Sequence, residues 1–296
     1  SFLVFSGGVG LDKRNPWKFG KQNPNVGVGG KMADVEALLH VDYTFKLKAQ
    51  HETLKRIHQL FEYDDILPQD QQTTPTNAPT QNNLGDCWLL APLAALAARR
   101  PDRLKRLFDA TTSTDLAAGR ATLRLYRHGE WTPVTVDTLL PCDPSSGAPL
   151  YCSSAGWAAL VEKAYAKLFG SYAALDGGRS EEALVELTGG LCERRSLKAN
   201  AGKPSLKPSE LATLVQRWLA DGHLVLGIRT FPKAAVAANA AASSSSAPSE
   251  LHAVAVLAVE RRDDTMLTVR DTAQAEPGSL SAELGTDREV SVAVFC

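Results

Sequence analysis

The chain has 296 residues, a formal net charge of −1, 44% hydrophobic residues and 22% charged residues. That length can bury a sizeable core and suits more than one lobe. The near-neutral balance gives no electrostatic case for nucleic acid or an anionic membrane surface, and no apolar stretch approaches the roughly 18 uncharged residues of a spanning helix.

Residues 1–30 are rich in glycine and proline and read as loop. Ser1–Phe5 has no basic residue ahead of its apolar run, which argues against a signal peptide. Gly29-Gly30-Lys31 is not a phosphate loop: Asn25 stands where the first glycine belongs, and Met32 replaces the hydroxyl residue that would hold magnesium. Gln50 to Phe61 carries Leu54, Ile57 and Phe61 at helical spacing and is expected to be a helix, ended by Asp64-Asp65-Ile66-Leu67-Pro68. Residues 69–80, with Pro75 and Pro79, read as an extended linker.

An apolar helix is expected to begin at Cys87, with Leu89, Leu93 and Leu96 on one face. Pro92 lies inside it, where proline removes one hydrogen bond at a cost of about 3 kcal/mol. Leu123 and Leu125, then Val134 and Val136, alternate with polar residues around Arg127-His128-Gly129-Glu130, a hairpin. Trp157, Leu160, Val161, Ala164, Leu168 and Phe169 form one helical stripe, with Ser153 and Ser154 as caps before it and Gly170 after it. That segment reads as a core helix, not a site.

Gly177-Gly178 and Thr188-Gly189-Gly190 read as loops around a short helix from Glu181 to Leu187. A further helix, capped by Ser209, is expected to Leu219, and Leu224 to Ile228 reads as a buried strand. Ala234 to Ser249 is low-complexity sequence with too little apolar bulk to pack. Strands are expected at Leu251 to Val259, Met266 to Val269 and Val290 to Phe295.

The chemistry concentrates at Gln81-Asn82-Asn83-Leu84-Gly85-Asp86-Cys87-Trp88. A thiol at a helix N-terminus feels the positive end of the dipole, which favours the nucleophilic thiolate. A glutamine six residues earlier can lend an amide N–H to an oxyanion. An isolated buried cysteine would be no more than a small hydrophobe. The other cysteines, Cys142, Cys152, Cys192 and Cys296, are dispersed and form no CxxC pair. They support neither a disulfide framework nor a zinc ribbon, and they fit a reducing, cytoplasmic compartment.

A cysteine nucleophile needs a base and a group to orient it. His51 and His58 are expected on a polar helix face, His128 in a hairpin turn, His40 at the end of a short helical run and His223 ahead of a strand. His252 opens a strongly apolar strand, and a hairpin turning near Asp263-Asp264 would bring Asp271 to the same end. A histidine at a strand end is by itself more often a satisfied surface residue; the Cys87 segment is what gives this one weight.

Together these motifs resemble the calpain-type cysteine peptidases, a papain-like family. The resemblance runs from about Leu60 to Asp271. It is carried by Leu60-Phe61-Glu62-Tyr63-Asp64 with Pro68, by Gly85-Asp86-Cys87-Trp88, and by Gly129-Glu130-Trp131, Val136-Asp137 and Leu140-Pro141. Glu162-Lys163-Ala164-Tyr165-Ala166-Lys167 with Gly170-Ser171-Tyr172, then Thr188-Gly189-Gly190 and Met266 to Asp271, complete it.

The resemblance implies an α+β papain-like fold: a helical lobe (69–229) carrying Cys87 and a β lobe (230–296) carrying His252 and Asp271, with the cleft between them. It leaves residues 1–68 as an N-terminal region of unknown role leading into the core, and the β lobe is short for the family. It implies Cys87 as nucleophile, His252 as base and acid, Asp271 as orienting residue and Gln81 as oxyanion donor. The substrates would be proteins, with no nucleic acid among the partners.

Several positions depart from the family. Asp271 stands for its asparagine and Thr272-Ala273-Gln274 for its Pro-Trp-Gly; Leu251 and Asn82 stand for its glycines. Ala78 and Ala173 stand where the family's first calcium site has acidic ligands, so this chain is expected to require no cofactor there, calcium included. The alternative is a calpain-like protein that does not cleave and serves as an adaptor for a cytoskeletal or regulatory partner.

Overall fold

The computed structural model describes residues 2–6, 40–42, 45, 53–68, 78–195, 206–230, 251–261, 265–270, 272 and 287–291. The fold is α+β, helices packed beside antiparallel sheets. Seven α-helices and ten strands are found among the described residues.

The centre is helix α2, Cys87–Arg99, preceded by the short α1, Tyr63–Ile66. Every residue of α2 from Cys87 to Ala98 is buried, so the expected single apolar face is in fact an all-round apolar cylinder. Pro92 sits within it. Two short helices follow, α3 (Pro101–Arg106) and α4 (Ser113–Ala117), the second closed by a Thr112–Asp115 capping box. Neither has the apolar periodicity that would announce it.

Strands β3 (Arg120–Arg127) and β4 (Glu130–Asp137) form the expected hairpin. His128 and Gly129 turn it with φ of 52° and 88°, the left-handed pair that a type I′ turn requires. Helix α5, Gly156–Phe169, ends at Gly170 with φ 92° as expected. Its N-cap is Ala155, without a side-chain cap; Ser153 instead pairs with Thr80 through two backbone hydrogen bonds. Helix α6 is Ser180–Thr188, and α7 is Pro208–Ala220. In α7 Pro208 takes the first position and Lys207 the cap, which leaves Ser209 inside the first turn rather than at the cap.

The expected helix over residues 50–61 does not form. Thr53–Arg56 is strand β2, paired antiparallel with β5, Leu139–Cys142, and Ile57–Gln59 is a single 3-10 turn. Non-local pairing with a segment more than 80 residues away overrides the helical spacing of Leu54, Ile57 and Phe61. His58, expected on a helix, lies exposed in that 3-10 turn, whereas His51 is outside the described residues.

The large sheet has six strands in the order β10-β9-β8-β7-β1-β6, each antiparallel to its neighbours. They are β1 (Phe2–Ser6), β6 (Leu191–Arg195), β7 (Leu224–Thr230), β8 (Leu251–Arg261), β9 (Thr265–Arg270) and β10 (Asp287–Ser291). Phe2–Ser6, expected as loop, is thus a strand, held between β7 and β6 by partners about 185 to 225 residues on. The segment 234–249 and the turn at Asp263-Asp264 lie outside the described residues.

Side chains alternate across this sheet. Leu224, Leu226, Ala253 and Ala255 join the core around α2, while Val225, Val254, Val256, Leu267 and Val269 pack with Leu211, Val215 and Leu219 of α7.

Candidate active site

Cys87 is the first residue of α2 and is 8% exposed. The turn before it is held from outside. Gly85 N–H donates to Asp176 Oδ1 at 3.2 Å, and Gly177 N–H donates to Gly85 O at 2.9 Å. Trp88 Nε1 donates to Leu175 O at 2.9 Å. Gly178 lies against the Trp88 indole so closely that a Cβ there would fall 2.2 Å from the ring. The Gly177-Gly178 segment, read from sequence as a mere loop, is therefore one wall of the Cys87 turn.

The strand-like segment leading to Cys87 docks on residues 149–153. Thr80 and Ser153 exchange backbone hydrogen bonds at 3.0 and 2.9 Å. Asn82 Nδ2 donates to Pro149 O at 3.0 Å, and its Oδ1 accepts from Ser153 Oγ at 3.2 Å. Asn82 is thus a brace with a definite use. Gln81 spends one amide N–H on Leu84 O at 2.6 Å, and its buried Oε1 has no partner among the described residues.

Two contacts set how α2 lies on the sheet. At its far end Arg99 Nη1 donates to Leu257 O at 2.9 Å, beside the irregularity of β8 between Val256 and Ala258, and Arg99 Nη2 donates to Leu219 O at 2.7 Å. At its near end Gln81 N–H donates to Thr272 O at 2.5 Å. Thr272 follows β9, which is antiparallel to β8, so this contact belongs to the His252 end of the sheet. From Arg99 back to Cys87 is about 18 Å of helix. From Leu257 back to His252 is about 17 Å of strand. Helix and strand therefore run side by side in the same sense, and Cys87 and His252 come to the same end. His252 is half-buried, opposite Arg229, and by alternation shares the face of Val254, the α7 side of the sheet rather than the α2 side, so the structure brings the two backbone ends together and not the two side chains. Asp271 is outside the described residues.

Other histidines are placed elsewhere. His128 is in the β3–β4 turn, His223 opens β7 from outside, and His40 donates its backbone N–H to Ala118 O at 2.8 Å.

A family model for calpain family cysteine proteases matches residues 34–271, most of the chain. The chain belongs to the calpain family. Among its relatives, the calpain-type cysteine protease DEK1 of Arabidopsis thaliana is 37% identical over 150 residues, 49% of this chain and 7% of that protein. Calpain clp-1 of Caenorhabditis elegans is 44% identical over 122 residues, 40% of this chain and 15% of that protein. The human calpain-2 catalytic subunit is 39% identical over 150 residues, 49% of this chain and 20% of that protein. The chain thus spans a fifth or less of the length of these calpains.

Behind the Cys87 turn lie two acids that the sequence reading passed over. Asp86 and Glu162 are both buried and face one another. Burial, before any other cause, pushes Asp86 up to about 7; burial and then the Asp86 charge push Glu162 well above the usual carboxylate range. The signal was present: α5 carries apolar residues on nearly every side, so Glu162 and Lys163 had to be buried.

No helix among the described residues is long and apolar enough to cross a membrane.

Proposed function

We propose that this chain is a cysteine endopeptidase unit acting on protein substrates. The observation that carries the reading is the common end: the start of the Cys87 helix meets the His252 end of the sheet, and Gln81 N–H bonds Thr272 O across the join. In the proposed reaction the Cys87 thiolate attacks a peptide carbonyl. The second Gln81 amide hydrogen and the Cys87 backbone N–H receive the oxyanion. His252 gives its proton to the leaving amine, and a water activated by the same imidazole then hydrolyses the thioester. Asp271 would orient the ring, as a carboxylate does in serine-type triads. A reducing compartment, as in the cytoplasm, suits the thiol.

Calcium is not assigned to the family's first core site. Ala78 is wholly buried and Ala173 lies exposed on the 3-10 turn Tyr172–Leu175; both end in a methyl group, and a hard cation needs oxygen. The residues present do not fit the ion there.

The rival reading is a calpain-like adaptor that binds without cleaving. It is favoured by Thr272-Ala273-Gln274, which leaves no tryptophan after the orienting residue. A thiol-directed epoxide inhibitor separates the two, with the labelled peptide identified by mass spectrometry. Selective labelling of Cys87 over the other cysteines supports the enzyme. Even labelling of all five, or none, supports the adaptor.

A further inference from the structure

Aspartate before the first residue of a helix ordinarily turns its carboxylate onto the free N–H groups of the first turn. Asp86 occupies that position and makes no such cap. Its carboxyl points inward, is fully buried, and neither oxygen accepts from a well-placed donor among the described residues. Its side-chain partner is the Glu162 carboxyl of α5.

On the Glu162 side, Oε2 accepts Cys152 N–H at 3.2 Å and Oε1 has no donor among the described residues. A cavity of about 10 Å³ touches Glu162 together with Cys152, Tyr151 and Tyr172. The titratable groups acting on the pair come from every neighbouring segment: Asp176 from the turn after Leu175, the Cys152 thiol from the loop before α5, and the Tyr172 hydroxyl from the 3-10 turn. Among the described residues no lysine or arginine acts on either acid. Two buried carboxylates in contact, with no cation, cannot both keep their charge. A hydrogen bond between two carboxyl groups needs one proton.

We propose that Asp86 and Glu162 share a single proton, and that this proton seats the Cys87 turn on α5, making the two acids a positioning pair with an upper pH limit. The inference rests on Cys87 being the reacting thiol. While the proton is present, one hydrogen bond joins the residue before the nucleophile to α5. When bulk water takes the proton at higher pH, two adjacent negative charges remain behind the thiol. They repel each other and oppose thiolate formation.

The linkage has a definite sign. A carboxyl raised in the folded state contributes stability that is complete below its unfolded value, near 4. Asp86 lets go first, at about 7; the proton that remains is held by Glu162, which burial and the Asp86 charge raise well above the usual carboxylate range, so the contribution is fully lost only as pH rises through that higher value.

The test uses the full chain as wild type, Asp86→Asn and Glu162→Gln. Each variant keeps the shape and one donor for the remaining carboxylate, so if one fails to fold the other carries the experiment. Infrared difference spectra in heavy water read the protonated carboxyl directly, and the alkylation rate of Cys87 by a small haloacetamide, followed by mass spectrometry, reads the thiol. Rising from about pH 5, wild type should lose acid intensity near pH 7, where Asp86 lets go, and then, well above it, the band of the shared proton, a high-pH band that both variants lack. Over the same rise, wild-type alkylation should fall about tenfold behind that of the variants. A missing band, a band that survives in both variants, or identical alkylation profiles would overturn the pairing. Peptide turnover is not used, so a chain that fails to cleave but gives these results sinks only the peptidase reading.

Discussion

Glu162 and Lys163 are consecutive residues of one helix, both buried, and they meet their surroundings in opposite ways. Lys163 Nζ reaches Asp137 Oδ1 at 2.5 Å and also donates to Leu139 O. Asp137 accepts further from Leu139 N–H at 2.8 Å and from Asp42 N–H at 2.7 Å. One turn on, Lys167 bonds Asp42 at 2.6 Å and Thr135 O at 2.7 Å. Each charge there has its opposite, and the network ties β4, β5 and the Asp42 segment to α5. Glu162 faces another acid and is short of donors. The satisfied side holds the lobe together, whereas the unsatisfied side stands behind the turn that carries Cys87, the proposed nucleophile. Local rules are broken where chemistry is placed and kept where only shape is needed.

The contrast breaks most visibly at Lys163. Lys163→Met leaves Asp137 buried without its cation, and denaturant unfolding should show a loss of about 3–5 kcal/mol. Cys87 labelling per folded molecule should be unchanged. Adding Asp137→Asn should recover part of the loss; equal instability of single and double variants would mean that the cation, not the pair, was needed.

On the other side, Gly178→Ala drives a methyl group into the Trp88 ring. Overpacking of this kind costs about 1–3 kcal/mol, and here it should also slow Cys87 labelling, because Trp88 follows the thiol directly. A labelling rate equal to wild type would detach that wall from the site.

Asp271 sharpens the comparison further. Asp271→Asn removes a charge and keeps an acceptor, so turnover should persist while the histidine-linked limb of the pH–rate curve moves to lower pH. Asp271→Ala should lose much more, since the ring is no longer held. Superimposable curves for all three proteins would mean that Asp271 does not touch His252. The smallest expected effect is none: calorimetric titration with calcium should give no heat from binding tighter than about millimolar, and a micromolar site mapped to Ala78 and Ala173 would refute the proposed loss.

Local pattern made much of this legible in the sequence. The β3–β4 hairpin and α5 were readable because their partners or their periodicity lie within a few residues. The helix start at Cys87 was readable because its turn and its apolar run are adjacent in the sequence. Strand β2, β1 and β6 were not, since each is defined by a partner far along the chain. Glu162 was passed over for a related reason: the stripe Trp157, Leu160, Val161 and Ala164 marks a core helix correctly, but what its polar residues meet is settled by Asp86 and Asp137, which come from elsewhere. Ser153 looked like a cap and is instead a strand-like partner of Thr80.

The bond from Gln81 N–H to Thr272 O also has a meaning in time. The ribosome makes the nucleophile segment some 190 residues before the strand end that completes the site. At about 5–20 residues per second, a growing chain carries its thiol for roughly 10–40 s with no histidine beside it. On the proposed reading, a peptidase assembled in this order stays chemically quiet until that strand end has been made, while the unfolded nascent chains around it are the easiest proteins in the cell to cut.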